Sequence, residues 1–255
     1  ARYFLMNNKG AIAPGYLGDF VIIDNFNDFN IEMVFKRGEL MYDGQLRDFP
    51  TPEIDPYLVK RAHDTFHLTK LTAEDFKDGR PHAIIGLVPG EIISEDAGYI
   101  DHIDVEYDIL KVAVIERHKN THHIGLGYIK GYGLKSGAVA TSISHDSHNI
   151  IVVGTNEEEM AAAANRIVEN HGGITVMENG NVLGEVTLAI AGIMSDDPLV
   201  MVNSALESAK DEAFRLGVSR DIDPFMTLSF MALPVIPTLR ITTRGVFDVN
   251  TQSYV

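Results

Sequence analysis

The stretch AVATSISHDSHNIIVVG, residues 138–154, decides how most of this chain folds. Its two ends, Ala138 to Ile143 and Ile150 to Val153, are short apolar runs of the kind that form buried strands. Between them lies the polar segment His145 to Asn149, which is either a turn between two strands or a site. Strands joined by so short a connection pair antiparallel. The stretch therefore predicts a sheet with antiparallel neighbours and a polar cluster where two strands meet.

Strand patterns continue on both sides of this stretch. Asn179-Gly180 lies between two apolar runs and is a strong hairpin signal. Arg244-Gly245 marks a last hairpin within Ile241 to Val249. The other predicted strands of this part are Ala83 to Val88, Ile109 to Ile115, Ile174 to Met177 and Val182 to Thr187.

Two main helices are predicted between these strands. The first begins at Thr155, because a hydroxyl followed three residues later by the carboxylate of Glu158 forms a capping box. The second begins at Asp196-Asp197-Pro198, with the proline in the first turn, and ends at Gly217. Hairpins and helices together predict an α+β domain with a mixed, largely antiparallel sheet over residues 57–255.

The first 50 residues form a separate, incomplete piece. Phe20 to Asp24 predicts a strand, and Met33 to Lys36 and Glu39 to Tyr42 predict a hairpin around Arg37-Gly38. Two or three short strands cannot bury a core alone, so they are expected to complete a sheet supplied elsewhere. Phe49 to Pro56 contains three prolines in eight residues and predicts a linker between residues 1–50 and 57–255.

The composition narrows the possible partners. The formal net charge is -15 and the chain has no cysteine. A surface this acidic repels nucleic acid and anionic lipid, which argues against DNA, RNA and membrane partners. The absence of cysteine rules out disulfides and thiolate metal sites and is compatible with a cytoplasmic location.

Two polar clusters are the main candidates for chemistry. The first follows an apolar strand and the second lies in the quoted stretch; their residues are Glu116, Arg117 and His118, and His145, Asp146, His148 and Asn149. Imidazoles beside a carboxylate suit a divalent transition metal or acid–base catalysis near neutral pH. His145 and His148 are the candidate metal ligands, with a third ligand not identified. The alternative is a polar turn whose side chains satisfy the backbone.

Three weaker candidates remain. Ser195 and Asp196 either cap the second helix or help it bind an anion. Gly125 to Gly137 has five glycines but no phosphate-binding motif, and is predicted to be a loop that allows close backbone approach or a bend. His63 and His67 have the spacing of metal ligands on a helix, yet a solvated surface pair is the simpler interpretation.

Several segments resemble known proteins. GAIAPG at residues 10–15 and DFVIID at 19–24 resemble the segment that follows the barrel in the amidohydrolase superfamily. The later motifs are similar to the C-terminal region of the bacterial adenine deaminase family; they are Glu116 to His118, Ile124 to Gly127, Gly131 to Lys135, Ser144 to Asn149, Val152 to Thr155, Met194 to Asp196 and Pro224 to Phe230.

The resemblance implies an N-terminal metal-bearing barrel as the partner of this chain. It also implies adenine as the substrate, manganese or iron as the metal, hypoxanthine and ammonia as products, and a cytoplasmic homo-oligomer. The barrel ligands of that family include a His-x-His pair, which this sequence lacks. We therefore expect a C-terminal portion that begins at a truncation, has Val255 as a natural end, and is inactive alone.

Three functions remain open from the sequence. In the first, the chain packs on the catalytic barrel and completes or closes its site. In the second, it is a structural or oligomerisation domain with no site residues. In the third, it is a stand-alone module that binds a purine.

Overall fold

A computed structural model describes residues 1–48 and 52–255. The chain forms two compact units, Ala1–Ile54 and Asp55–Val255. Phe49, Pro50 and Thr51 of the predicted linker lie outside the described residues. No helix in the described ranges is long and apolar enough to cross a membrane.

The first unit contains a three-stranded antiparallel sheet, β1 (Phe20–Ile23), β2 (Ile31–Lys36) and β3 (Glu39–Tyr42). The rings of Phe20 and Phe35 stack at 4.7 Å on one face of it. No side chain among residues 1–48 is fully buried. This small sheet therefore has strands and a turn as expected, but no core of its own.

The second unit is built on an eight-stranded sheet. Its elements in chain order are α1 (Pro56–His63), β4 (His82–Leu87), β5 (Ser94–Ile100), β6 (Ile109–Ile115), β7 (Ile124–Lys130), β8 (Ala138–Thr141), β9 (Ile150–Gly154), α2 (Glu157–Glu169), β10 (Gly173–Glu178), β11 (Asn181–Thr187), α3 (Leu199–Arg215), α4 (Pro224–Met231), β12 (Leu239–Thr242), β13 (Gly245–Asp248) and β14 (Ser253–Tyr254). The main sheet has the order β11-β10-β8-β9-β6-β7-β4-β5, and β12 to β14 form a smaller antiparallel sheet.

The pairing confirms the predicted α+β class. Neighbours in the main sheet are antiparallel except β4 and β7, which are parallel. The quoted stretch forms β8 and β9, which pair with each other near the middle of the sheet. The two long helices, α2 and α3, are the two that the sequence predicts, and α1 and α4 are short additions of eight residues each.

Both faces of the main sheet are covered. Along β6, Val112 and Val114 pack with α3, α4 and the β12–β13 hairpin. Ala113 and Ile115 face the other way and pack with α2 and a 3-10 turn at Ala73–Phe76. Successive side chains of a strand point to opposite faces. A strand buried on both faces therefore has the continuous apolar sequence that makes β6 recognisable.

The glycine-rich stretch was predicted as a loop, and this prediction is wrong for its first half. Ile124–Lys130 is strand β7, which pairs with β6 and β4. A Cβ on Gly125 would lie 1.8 Å from the carbonyl oxygen of Thr242, and one on Gly127 would lie 2.6 Å from Val246 Cγ2. The β12–β13 hairpin thus packs directly on the backbone of β7. As the sequence suggested, glycine is required here because another segment approaches the backbone closely. These glycines, however, lie inside a strand and not in a loop.

The start of α2 corrects a second prediction. The N-cap residue is Asn156, whose side chain accepts a hydrogen bond from the backbone N–H of Glu159 at 2.8 Å. Thr155 instead donates its hydroxyl to the carbonyl oxygen of Gly137 at 3.2 Å. Asparagine caps as well as threonine, so the helix begins one residue later than predicted.

Candidate functional site

The two polar clusters meet at one edge of the main sheet. Ile115, the last residue of β6, pairs with Ile150, the first residue of β9. Because these strands are antiparallel, the segment after β6 lies beside the segment before β9. His118 Nε2 is 2.9 Å from the carbonyl oxygen of Ser147. We call residues 116–118 and 145–149 together the polar edge.

Glu116 organises its own loop. Its two carboxylate oxygens accept hydrogen bonds from the backbone N–H groups of His118, Lys119 and Thr121, and from the Thr121 hydroxyl, at 2.6–3.1 Å. Partial burial opposes ionisation, but these hydrogen bonds outweigh it and lower the pKa of Glu116. The carboxylate holds the loop that carries His118.

Arg117 is buried, with 1% of its surface exposed. Its guanidinium donates to the carbonyl oxygens of His148 at 2.5 Å, Thr65 at 2.9 Å and Ala191 at 2.9 Å. Burial lowers the pKa of Arg117 to about 10, so it stays charged at neutral pH. The side chain points into the protein and lies beneath the residues of the polar edge.

His145 and His148 lie close together in the turn. Their ring centroids are 6.2 Å apart, and the His145 ring is 5.1 Å from the ring of Phe230 on α4. The backbone N–H of His145 donates to the carbonyl oxygen of Ser229 at 3.1 Å, which ties the turn to α4. The two imidazoles are therefore held by packing and not only by the turn.

His148 has an unusual environment. Its Nδ1 is buried and has no hydrogen-bond partner among the described residues. Burial lowers its pKa, and the neighbouring His145 and Arg117 lower it further. The lowered pKa favours the neutral form of the imidazole near pH 7.

The described residues do not form a complete metal site. Residues 1–48 and 52–255 contain no group of three or more histidine, aspartate or glutamate side chains placed to hold a metal ion. His145 and His148 supply two imidazoles, and Asp146 does not complete the set. A structural or catalytic zinc-type site needs at least three protein ligands. To hold a metal ion, the pair would need at least one further ligand.

A groove of about 320 Å³ opens beside the turn. One wall is polar and contributes Asp146, Ser147 and Asn149, and the other is the apolar segment 232–235. Thr242 and Thr243, from the β12–β13 hairpin, close the groove. An apolar lining with a few polar groups is typical of small-molecule sites.

Ser195 and Asp196 do not cap α3. The helix begins at Leu199 with Pro198 as its N-cap residue and no capping side chain. Ser195 Oγ instead lies 3.2 Å from the backbone nitrogen of Asp197 and 3.3 Å from its carboxylate. The capping interpretation is therefore wrong. These residues follow Ala191, whose carbonyl oxygen contacts Arg117, in the connection that leaves β11.

The sequence pattern did not point to the partners of Arg117. Thr65, Phe66, Ala191 and Gly192 surround it, yet none belongs to a recognisable motif. His67 donates its backbone N–H to the carbonyl oxygen of Arg117 at 2.7 Å, and its ring faces Asp64 at 3.9 Å. His63 ends α1, so the two histidines do not share a helix. Only the spacing of Glu116 to His118 after an apolar strand could have signalled this region.

Comparison with known proteins matches residues 91–253 to the adenine deaminase C-terminal domain. The chain belongs to the adenine deaminase family. The chain is 40% identical to the adenine deaminase of Dehalococcoides mccartyi over 260 residues, which cover 98% of this chain and 45% of the relative. It is 41% identical over 260 residues to adenine deaminase 1 of Rhizobium johnstonii, covering 98% and 44%. It is 39% identical over 267 residues to the adenine deaminase of Brucella melitensis, covering 100% and 44%.

This chain spans less than half of the length of these adenine deaminases. The matched domain, residues 91–253, includes the whole polar edge and the Ser195–Asp196 segment. It does not include the three-stranded sheet of the first unit. The candidate residues thus lie in the part of the chain that the family model describes.

Proposed function

We propose that the intact protein hydrolyses adenine to hypoxanthine and ammonia, and that this chain contributes its C-terminal portion. The relatives that match it over 98–100% of its length are adenine deaminases. The polar edge would then lie against the catalytic barrel and complete or close its site. Because the described residues do not form a metal site, we assign any divalent metal, manganese or iron, to the barrel.

The observation that carries this proposal is the meeting of the two polar clusters. Loops from two different strands bring His118, His145 and His148 to one edge, beside a groove that could admit part of a purine. The pKa of His148 is lowered by burial, which favours the neutral imidazole, and its buried Nδ1 has no hydrogen-bond partner among the described residues. Asp146 and Asn149 supply an acceptor and a donor, which match the ring edge of adenine.

The other parts of the chain have roles in the same proposal. The small sheet of β1 to β3 would complete a β-sandwich of the amidohydrolase type, since residues 1–48 bury no core. A homo-oligomer and a cytoplasmic location are also proposed, the second because a chain without cysteine suits a reducing compartment.

The test is a set of single substitutions in an intact adenine deaminase that contains this sequence. We expect His145→Ala or His148→Ala to lower kcat/KM for adenine by about 10²-fold or more, as for the loss of an acid–base group. His102→Ala is the matched control, since His102 is exposed and, within residues 1–48 and 52–255, pairs with Asp101 alone. Near-wild-type activity of both variants would contradict the proposal. This chain alone is expected to be inactive.

A structural role is the second candidate, favoured by an apolar surface at the start of α3. Leu199 and Val200 are 81% and 80% exposed, and Met194 and Met201 are also exposed. A contiguous exposed apolar patch often marks an interaction surface. Charged substitutions at Leu199 and Val200 that separate the subunits or domains without changing the turnover of the assembled enzyme would favour this role over the catalytic one.

A further inference from the structure

Arg117 carries a positive charge inside the protein, where the neighbouring Glu116 favours the charged form without forming an ion pair with it. No aspartate or glutamate in the described part of the chain forms an ion pair with it. By contrast, the buried Lys111 is 2.6 Å from the Glu157 carboxylate. Burying a charge is costly unless it is compensated. An apolar side chain of similar volume would avoid this cost, so the guanidinium itself requires an explanation.

The guanidinium connects three separate segments. It reaches the turn through the carbonyl oxygen of His148, the segment after α1 through the carbonyl and hydroxyl of Thr65, and the connection after β11 through Ala191. Its backbone N–H also approaches Asn149 Oδ1 at 3.4 Å. A planar, forked donor can satisfy acceptors in several directions at fixed angles, which an ammonium cannot do as well.

The surroundings of Arg117 are shaped to this one side chain. Its guanidinium carbon lies 4.2 Å from the centre of the Phe66 ring. A Cβ on Gly192 would lie 2.8 Å from the guanidinium, so only glycine leaves room at that position. The Phe66 ring and the bare backbone of Gly192 therefore both pack closely against the guanidinium.

The geometry of His148 depends on this contact. Its carbonyl oxygen accepts the shortest of the guanidinium hydrogen bonds, 2.5 Å, while its own backbone has φ of 49°. That left-handed conformation is uncommon for a residue with a side chain. Holding this carbonyl oxygen in place constrains the backbone of His148, from which its ring projects.

We propose that Arg117 is a positioning residue that fixes the His145–Asn149 turn and sets the orientation of the His148 ring. The inference concerns the turn itself and rests on the proposed function only where enzyme activity is the readout. Arg117 does not touch the groove, so its effect on any ligand passes through the turn.

The structural test follows the His148 ring by NMR in the 255-residue chain. In Arg117→Lys, which keeps the charge but loses the planar, forked donor, we expect the His148 ring resonances to move. In Arg117→Ala, millimolar guanidinium chloride should restore the original resonances, and potassium chloride at equal ionic strength should not.

Arg240→Lys is the matched control. Arg240 is also buried and bonds to carbonyl oxygens, but it contacts Ser94, Ile92, Leu239 and Pro237 and no residue of the turn. Unchanged His148 resonances in folded Arg117→Lys would overturn the proposal. An equal shift in Arg240→Lys would also overturn it, because the effect would then be general loosening.

The activity arm uses the intact enzyme. We expect Arg117→Lys to lower kcat by about 10²-fold with a smaller change in KM, as for a small misplacement of a reacting group. If His148→Ala has no effect on kcat, the proposed function fails, and the NMR result still decides whether Arg117 positions the turn. If His148→Ala is impaired and Arg117→Lys is fully active, the positioning proposal fails alone.

Discussion

Arg117 and Arg240 are two buried arginines that differ in what they hold together. Both donate to backbone carbonyl oxygens, and burial lowers the pKa of each to about 10. Arg240 bonds to Ser94 and to residues of its own segment, and so fastens β12 to the start of β5. Arg117 fastens a turn that carries two imidazoles. The same interaction serves the fold in one place and a candidate site in the other.

The difference follows from where each lies on the sheet. Ser94 pairs with Leu87, at the end of β4. Gly86, next to Leu87, pairs with Lys130, so Ser94 and Arg240 lie near the last residue of β7. Ile124, the first residue of β7, pairs with Ile115, so Arg117 lies near the opposite end of that strand. The two arginines therefore anchor opposite ends of the strands. Only the Arg117 end collects the histidine-bearing loops.

The largest effect is expected at Gly125, where the β12–β13 hairpin rests on β7. Gly125→Ala places a Cβ 1.8 Å from the carbonyl oxygen of Thr242 and must push the hairpin away. Overpacking of this kind costs about 3 kcal/mol or more of unfolding free energy. Denaturant unfolding measures it. In the control, Gly180→Ala, the Cβ meets no atom within 4 Å, and the φ of +73° at that position should cost only about 1–2 kcal/mol of backbone strain. An equal loss in both variants would contradict the packing explanation.

Arg240→Ala tests whether Arg240 stabilises the fold without contributing to the candidate site. It removes the guanidinium donor from the carbonyl oxygens of Ile92 and Pro237, the second of which keeps the backbone N–H of Ser94. Hydrogen bonds from a charged donor are worth about 1.5–3 kcal/mol, so we expect a loss of about 2 kcal/mol in thermal or chemical unfolding. Activity per folded molecule should be unchanged in the intact enzyme. A specific loss of kcat at full folding would show that Arg240 also serves the site.

The pH dependence of the unfolding free energy tests the environment of His148 in the candidate site. The pKa of His148 is lowered below its ordinary value of 6.5 in the folded chain. The unfolded chain therefore binds a proton more readily, and folding stability falls as the pH drops below 6.5 towards the folded pKa. His148→Gln should flatten this part of the profile, and His102→Gln should not. A separate loss below pH 4.5 is expected from Glu116, whose folded pKa is lowered from that value.

A moderate effect is expected at the start of α2. Asn156→Ala removes the cap from the Glu159 N–H and should cost about 1 kcal/mol. Thr155→Val removes only a hydroxyl that bonds to Gly137 and should cost less. Melting temperatures of the two variants, measured side by side, decide which residue is the cap. A larger loss in Thr155→Val would restore the capping box that the sequence favoured.

The smallest effect is expected at Ser195 and Asp196. Neither residue caps α3, and Asp196 is exposed. Ser195→Ala and Asp196→Asn should change the unfolding free energy by no more than about 0.5 kcal/mol. Activity assays of the same variants in the intact enzyme test whether the connection after β11 contributes to activity. A stability loss above 1 kcal/mol would indicate a cap or contact absent from this structure.

Much of the fold could be predicted because it follows from local sequence patterns, such as apolar runs and turn residues. Ile109 to Ile115 was recognised as a strand since it is buried on both faces and apolar throughout. The hairpin at Asn179-Gly180 was recognised from its turn residues. Strand β7 was missed because glycines disfavour strands. These glycines are needed because the β12–β13 hairpin packs on them, and that hairpin lies more than 100 residues away in the chain.

The sequence by itself determined the α+β class, the main helices and hairpins, and the two polar clusters that deserve a test. Only the tertiary structure decided that the clusters meet, that Glu116 serves its own loop, and that Arg117 points inward to Thr65, His148 and Ala191. Local patterns record backbone preference and periodicity. Which loops come together depends on strand order, and that order is set by packing between residues far apart in the chain.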